Sequence, residues 1–155
     1  MNLLELRDRI RTKAIAAGLT YSEIETLFDT NELSNQTMPC LAWEYNGETN
    51  DFDTPYTEMT LNVYVLDNFH EADKDETGQY QRDYLVTKKN VLRSKYITFL
   101  QSLQFEGATT SDTLEVTNDE QIPIPERLAI SSYIYLSTRI TIRVKRDYCL
   151  NVEIL

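Results

Sequence analysis

Residues 128–144 read LAISSYIYLSTRITIRV, and the alternation within this stretch decides the fold class. Its even-numbered positions are mostly apolar, whereas its odd-numbered positions include Arg139 and Arg143. Successive side chains of a β-strand point to opposite faces of its sheet. A period of two therefore predicts a strand with one face on a hydrophobic core and the other face in water.

This final strand region, expected over residues 128–147, is long for a strand. Strands usually contain about 3–10 residues, and at ~3.3 Å per residue a 17-residue stretch would extend for ~56 Å. We therefore expect one end to project from the subunit, or the chain to bend at one of two polar pairs, Ser131-Ser132 or Ser137-Thr138. We expect the apolar face of the strand to pack on the longest helix.

Two helices and three shorter strands are predicted upstream. Apolar residues that recur every three or four positions predict amphipathic helices over residues 2–17 and 79–104. Alternation and short apolar runs predict strands over residues 40–45, 59–65 and 112–117. The order α-β-β-α-β-β predicts one α+β domain over residues 1–155. The strands over 40–45 and 59–65 can pair as an antiparallel hairpin, and the longest helix, ~39 Å at ~1.5 Å per residue, could cross one face of a four-stranded sheet.

The segment that follows the first helix fits two conformations. Thr20 and Glu23 have the spacing of a capping box, which would begin a short helical turn ending near Phe28. An extended conformation of residues 24–28 fits the sequence almost equally well. The prediction of four strands assumes that this segment adds none to the sheet.

Charge is strongly segregated along the chain, whose formal net charge is -10. Residues 21–80 carry fourteen acidic and one basic side chain, and they include two predicted acidic loops at about 46–56 and 67–79. The long helix and the final strand are basic. Acidic segments repel nucleic acid and attract basic protein surfaces, so the sequence favours association with protein.

No motif for catalysis or ligand binding withstands examination. Asp73, Asp75 and Glu76 alternate like the ligands of a calcium loop, but the glycine and glutamate that such a loop requires at its sixth and twelfth positions are missing. His70 is the only histidine, and the four glycines are too far apart to form a phosphate-binding loop. We therefore expect no enzymatic activity, cofactor or metal.

The cysteines and the hydropathy indicate a reducing compartment. Cys40 and Cys149 lie far apart in sequence without the spacing of a metal or redox motif. Two buried free thiols in the cytosol are favoured over a disulfide. No stretch approaches the roughly 20 apolar residues that cross a bilayer, and the first residues lack the apolar run of a signal peptide. Synthesis in the cytoplasm is expected.

The order of elements, together with two stretches, resembles a viral family. The stretches are MPCLAWE at residues 38–44, a proline-led strand, and TRITIRV at residues 138–144, an amphipathic strand. Together they resemble the tail-terminator and neck-ring proteins of tailed bacteriophages. Proteins of this family are small α+β subunits with two helices on one face of a mainly antiparallel four-stranded sheet, and the resemblance implies this arrangement for the present chain.

The resemblance implies a structural role without catalysis. The chain would form a homo-oligomeric ring, a hexamer or a dodecamer, in the neck or tail-terminator region of the virion. The ring would join head to tail, contact other portal, neck or tail proteins, and surround a channel through which DNA passes without specific binding. It would be made in the host cytoplasm and would not contact a membrane.

Ten side chains are candidates for subunit contact because they are aromatic or charged and are predicted to be exposed. They are Tyr133, Tyr135, Arg139, Arg143, Asp73, Asp75, Glu76, Lys88, Lys89 and Arg93. An alternative of another class also fits the charge. A small acidic protein could mimic DNA, or regulate a partner, by placing the loop at 67–79 in a basic groove.

Overall fold

The computed structural model describes residues 1–25, 36–69, 73–104, 113–128 and 133–145. Several positions used in the predictions lie outside the described residues. They are Phe28, His70, Ser131, Ser132 and Cys149.

Two long helices form one layer of the subunit. Helix α1 spans Leu3–Ala16 and begins with a reciprocal capping box between Asn2 and Glu5. It ends before Gly18, whose φ of +86° is a left-handed conformation that glycine adopts without strain. Helix α2 spans Tyr84–Gln104. It begins five residues later than predicted, because a turn precedes it in which the Gly78 N–H donates to the Asp75 carbonyl.

Five strands form the second layer. They are β1 (Thr20–Tyr21), β2 (Cys40–Asn50), β3 (Tyr56–Asn68), β4 (Leu114–Gln121) and β5 (Tyr133–Lys145). Their order in the sheet is β1-β2-β3-β5-β4, and every neighbouring pair is antiparallel except β1 and β2, which are parallel. The two longest strands, β3 and β5, therefore lie next to each other at the centre.

The predicted four-stranded antiparallel sheet with the order α-β-β-α-β-β is wrong. The sheet is mixed and has a fifth strand, so the order is α-β-β-β-α-β-β. Thr20 donates its backbone N–H to the carbonyl of Pro39 at 2.9 Å, and Ser22 donates to Leu41 at 2.9 Å. These bonds draw the chain alongside β2 directly after α1. A strand of two residues is too short to show a period, and β1 could therefore not be predicted from the sequence.

Strand β5 covers Tyr133–Lys145 of the predicted region 128–147, and residues 129–132 and 146–147 of that region lie outside the described residues. A 3-10 helix, Glu126–Leu128, precedes it, so Leu128 belongs to a turn and not to the strand. The expected bend at Ser137-Thr138 does not occur, because Ser137 pairs with Tyr64 and Thr138 pairs with Val63 in unbroken register. The strand continues through these two residues because it is hydrogen-bonded to β3 on one side and to the chain at Gln121 and Ile122 on the other.

The main core lies between the helices and the sheet. Ile134, Ile140, Ile142 and Val144 of β5 are buried with the apolar stripes of α1 and α2. The prediction that the apolar face of the last strand packs on the longest helix is therefore confirmed. Phe99 of α2 is fully buried in this core.

A second, smaller cluster covers part of the opposite face of the sheet. Cys40, Ala42, Tyr64 and Leu66 project from β2 and β3, and Leu128 of the 3-10 helix covers them. Both helices lie on the first face. Among the described residues, the half of the second face that is near the β2–β3 turn is the part left open to solvent.

Candidate interaction surface

The open half of the second face, which we call the polar face, is built by strand register. Residues directly opposite one another on neighbouring antiparallel strands share a face. One row across four strands consists of Glu44, Asn62, Arg139 and Glu120, and a second row consists of Glu58, Arg143 and Glu115. Each arginine thus lies between acidic or amide groups of its own subunit.

Hydrogen bonds and one ion pair link the members of the first row. Glu44 Oε1 accepts hydrogen bonds from the Tyr64 hydroxyl at 2.6 Å and from Asn62 Nδ2 at 3.1 Å. Arg139 Nε donates to Asn62 Oδ1 at 3.1 Å, and its guanidinium lies 3.9 Å from Glu120. Tyr64 is only 2% exposed. The row therefore satisfies polar groups at the boundary of the second cluster.

The side chains of the second row are exposed to solvent. Arg143 lies 3.3 Å from Glu58 and 3.9 Å from Glu115, and its guanidinium lies 5.7 Å from the centre of the Tyr56 ring. A shallow cleft of about 400 Å³ opens beside it. Exposed ion pairs of this kind stabilise a fold only weakly, by about 0–1 kcal/mol. Arg143 can therefore exchange its partners at low cost.

The four candidates for subunit contact on β5 do not form one continuous exposed surface. Arg139 and Arg143 lie on the polar face, already paired within the subunit. Tyr133 and Tyr135 are half-buried against the second cluster, and Lys89 Nζ lies 5.8 Å from the centre of the Tyr135 ring. Their role in subunit contact stays a prediction.

Several acidic side chains of the predicted loop at 67–79 form contacts within the subunit. Asp67 belongs to β3 and forms an ion pair with Lys88 at 3.6 Å. Asp73 accepts a hydrogen bond from the Tyr84 hydroxyl at 2.8 Å. Asp75 accepts from the side chain of Thr77 and from the backbone of Thr77 and Gln79, and these bonds lower the pKa of its carboxyl. Three of the acidic groups are therefore directed at their own subunit.

Sequence reasoning missed an aromatic stack at the start of α2. The rings of Phe69, Tyr80 and Tyr84 lie with centroids 4.4–5.9 Å apart. Lys74 and Lys88 flank the stack at 5.4 Å and 5.9 Å from the ring centres. The one sign of this stack in the sequence is that Tyr80 and Tyr84 are four residues apart. The stack fixes the start of α2 against the end of β3.

No group of three or more metal-ligating side chains occurs within the ranges that the structure describes. The suggestion of a calcium loop therefore gains no support from Asp73 or Asp75, whose oxygens accept hydrogen bonds from neighbouring groups. No helix in the described part of the chain is long and apolar enough to span a membrane.

The segregation of charge persists in three dimensions. Helix α2 carries four basic and no acidic side chains, whereas residues 40–68, which form the β2–β3 hairpin, carry six acidic and no basic ones. Lys88 lies beside Asp67, eleven residues along β3 from Tyr56 at the hairpin turn. At ~3.3 Å per residue, the basic start of α2 and the acidic turn are ~36 Å apart. The two surfaces therefore lie at opposite ends of the subunit.

The outer strands resist continuation of the sheet. Strand β1 pairs with only two residues of β2, and β4 has no partner on its outer side among the described residues. Both β2 and β4 contain an irregularity in register, and both are acidic. Bulges and like charges at edges disfavour strand addition. Contact between subunits through side-chain surfaces is therefore favoured over edge pairing.

Cys40 should make the fold sensitive to alkaline pH. Burial raises the pKa of its thiol from 9.0 to about 11. Between these values the unfolded chain loses the proton and the folded chain keeps it, so stability falls as pH rises. We expect the Cys40 thiol to account for a loss of about 2 kcal/mol between pH 7.5 and 10.5.

The Cys40→Ala variant isolates this contribution. Burial also raises the pKa of the Tyr64 and Tyr96 hydroxyls, so both proteins should lose stability at high pH. Urea unfolding at the two pH values should show a smaller loss for the variant. Equal losses would contradict the assignment of this effect to Cys40.

The chain matches no protein-family model, and no curated protein is significantly similar to it.

Proposed function

We propose that the chain is a non-enzymatic structural subunit of a tailed-phage virion, forming a ring in the neck or tail-terminator region. The proposal is supported by the resemblance of its stretches at 38–44 and 138–144 to such proteins. Two helices cover one face of a sheet that is antiparallel apart from its two-residue edge strand. The correction of the strand count therefore leaves the two-layer arrangement of that family in place.

The observation that carries the proposal is the opposite charge of two distant surfaces. The basic start of α2 and the acidic turn of the hairpin are ~36 Å apart on one subunit and cannot meet each other, but each can meet the other surface on a neighbouring copy. Contacts between two different surfaces of identical subunits close into rings when the rotation between subunits permits. A hexamer or a dodecamer satisfies that condition.

An acidic channel wall is compatible with the passage of DNA. Binding of the phosphate backbone depends on lysine and arginine, which release counterions, so acidic side chains allow DNA to slide. The competing DNA-mimic function receives less support from the structure. Asp67, Asp73 and Asp75 form contacts within the subunit and are less available to a basic groove.

Quantitative mass spectrometry of gradient-purified phage particles tests the proposal. The phage that encodes the chain should carry it in its particles, at a copy number matching a hexamer or a dodecamer per virion. Failure to detect the chain in particles whose portal protein is readily quantified would overturn the proposal.

A further inference from the structure

We propose that the tip of the β2–β3 hairpin, Asp51-Phe52-Asp53, docks on the first turns of α2 in a second copy of the chain. This inference rests on the proposed function, because it names the contact that would join neighbouring ring subunits. It also makes a claim that can fail while the ring survives.

The tip combines an apolar anchor with two charges. Phe52 is 87% exposed, more than any other large hydrophobic side chain within the described ranges. An aspartate precedes it and another follows it. The backbone N–H of Asp53 donates to Asp51 Oδ1 at 2.9 Å, which holds the two residues in a defined turn. Exposed aromatic side chains are enriched at protein interfaces, where they supply much of the binding energy.

Helix α2 offers a matching surface, which we call the docking stripe. Val86, Lys89 and Arg93 follow one another at spacings of three and four residues, so they lie along one side of the helix. Val86 is 71% exposed. A phenyl ring placed on Val86 and on the aliphatic part of Lys89 would bring its flanking carboxylates towards Lys89 and Arg93.

Asp53 and Arg93 form the pair of opposite charges that the contact would bring together. Neither Asp53 nor Arg93 takes part in an ion pair within the described part of the subunit. Helix α2 has no acidic side chain that could compete for Arg93. A second copy is the partner that fits, because the acidic tip and the basic stripe complement each other on chains of the same sequence.

The distance between the two surfaces excludes contact within one subunit. The hairpin turn lies next to Lys145 at one end of the sheet, whereas α2 begins near Asp67 at the other. One copy can therefore use its tip on a second copy and offer its docking stripe to a third. Such a contact propagates from head to tail around a ring.

Zero-length carbodiimide cross-linking tests the contact directly, since this reagent joins a carboxylate to a lysine only when the two touch. Equal amounts of ¹⁴N- and ¹⁵N-labelled full-length chain are mixed at high concentration, cross-linked and digested. Mass spectrometry should find mixed-isotope peptides that join Asp51 or Asp53 to Lys89. Contacts between copies that map only to other residues, or no link between these residues, would overturn the inference.

Charge-reversal variants provide a second test of the proposed contact. Asp53→Arg and Arg93→Glu should each reduce association, measured by light scattering, at least ~10-fold, because each places like charges together. The double variant restores an opposite pair in the homo-oligomer and should recover most of the association. Glu126→Arg, an exposed reversal elsewhere, is the matched control and should have little effect. A double variant as weak as the single variants would contradict the proposed pairing.

The two proposals fail in different ways. Rings whose cross-links avoid the hairpin tip would overturn this contact and leave the proposed function intact. Cross-links at the predicted residues, found in a protein that forms only two-fold dimers and does not occur in virions, would support the contact and overturn the function.

Discussion

Replacing Glu44 with alanine is expected to lower the free energy of unfolding by about 2–3 kcal/mol. Oε1 of Glu44 accepts two hydrogen bonds, from the buried Tyr64 hydroxyl and from the largely buried Asn62 amide. Removing the acceptor leaves both donors without their partner at the edge of the second cluster. Urea unfolding followed by circular dichroism measures the loss.

Two controls separate this effect from a general sensitivity of β2. Glu44→Gln keeps an acceptor oxygen and should cost clearly less than the alanine variant. Glu48→Ala removes an exposed carboxylate from the same strand and should change stability by less than ~0.5 kcal/mol. An alanine variant at position 44 as stable as the wild type would show that the row across the polar face contributes nothing.

Replacing Phe99 with alanine is expected to cost about 3–5 kcal/mol, the largest effect of any substitution considered. Phe99 is fully buried between the helices and the sheet, and its ring lies 6.4 Å from that of Tyr96. The truncation removes apolar contacts and leaves a cavity at the centre of the main core. We expect the variant to unfold at a much lower urea concentration.

The neighbouring Thr98→Ala is the matched control, because Thr98 is exposed and, among the described residues, its side chain bonds only to the backbone of Ser94 in its own helix. Its stability should remain within ~0.5 kcal/mol of the wild type. A small loss for Phe99→Ala would contradict the position of α2 over the sheet.

Strand β5 could be predicted from the sequence because it lies at the centre of the sheet with one face buried. Burial of one face imposes a period of two, and the burial of side chains in β5 alternates strictly from Thr138 to Val144. Strand β1 could not be predicted, because two residues cannot display a period. Its position depends on hydrogen bonds to Pro39 and Leu41, about twenty residues away.

The polar face shows where prediction from sequence ends. The exposure of Arg139 and Arg143 on the face opposite the helices followed from alternation. Their partners did not, because strand register determines that Arg139 meets Asn62, 77 residues earlier. A slip of one residue would place different side chains opposite each other. The prediction of a freely exposed basic strand face therefore missed the carboxylates that neutralise it.

The predicted start of α2 at residue 79 is wrong because contacts between residues distant in sequence determine it. The residues from Gln79 onward are compatible with a helix, but the stack of Phe69, Tyr80 and Tyr84 and the turn capped by Asp75 hold residues 73–80 in another conformation. Tertiary contact thus overrides local propensity at this corner. The later start leaves Val86 within the first turn of the helix, near the end of the subunit.

Negative-stain electron microscopy of the concentrated protein shows whether the subunits assemble into rings. If the basic helix of one subunit meets the acidic hairpin of the next, the images should show closed rings of six or twelve subunits. The rings should disappear with Arg93→Glu and return with the Asp53→Arg, Arg93→Glu double variant. A population that contains only monomers or two-fold dimers at every concentration would contradict the account.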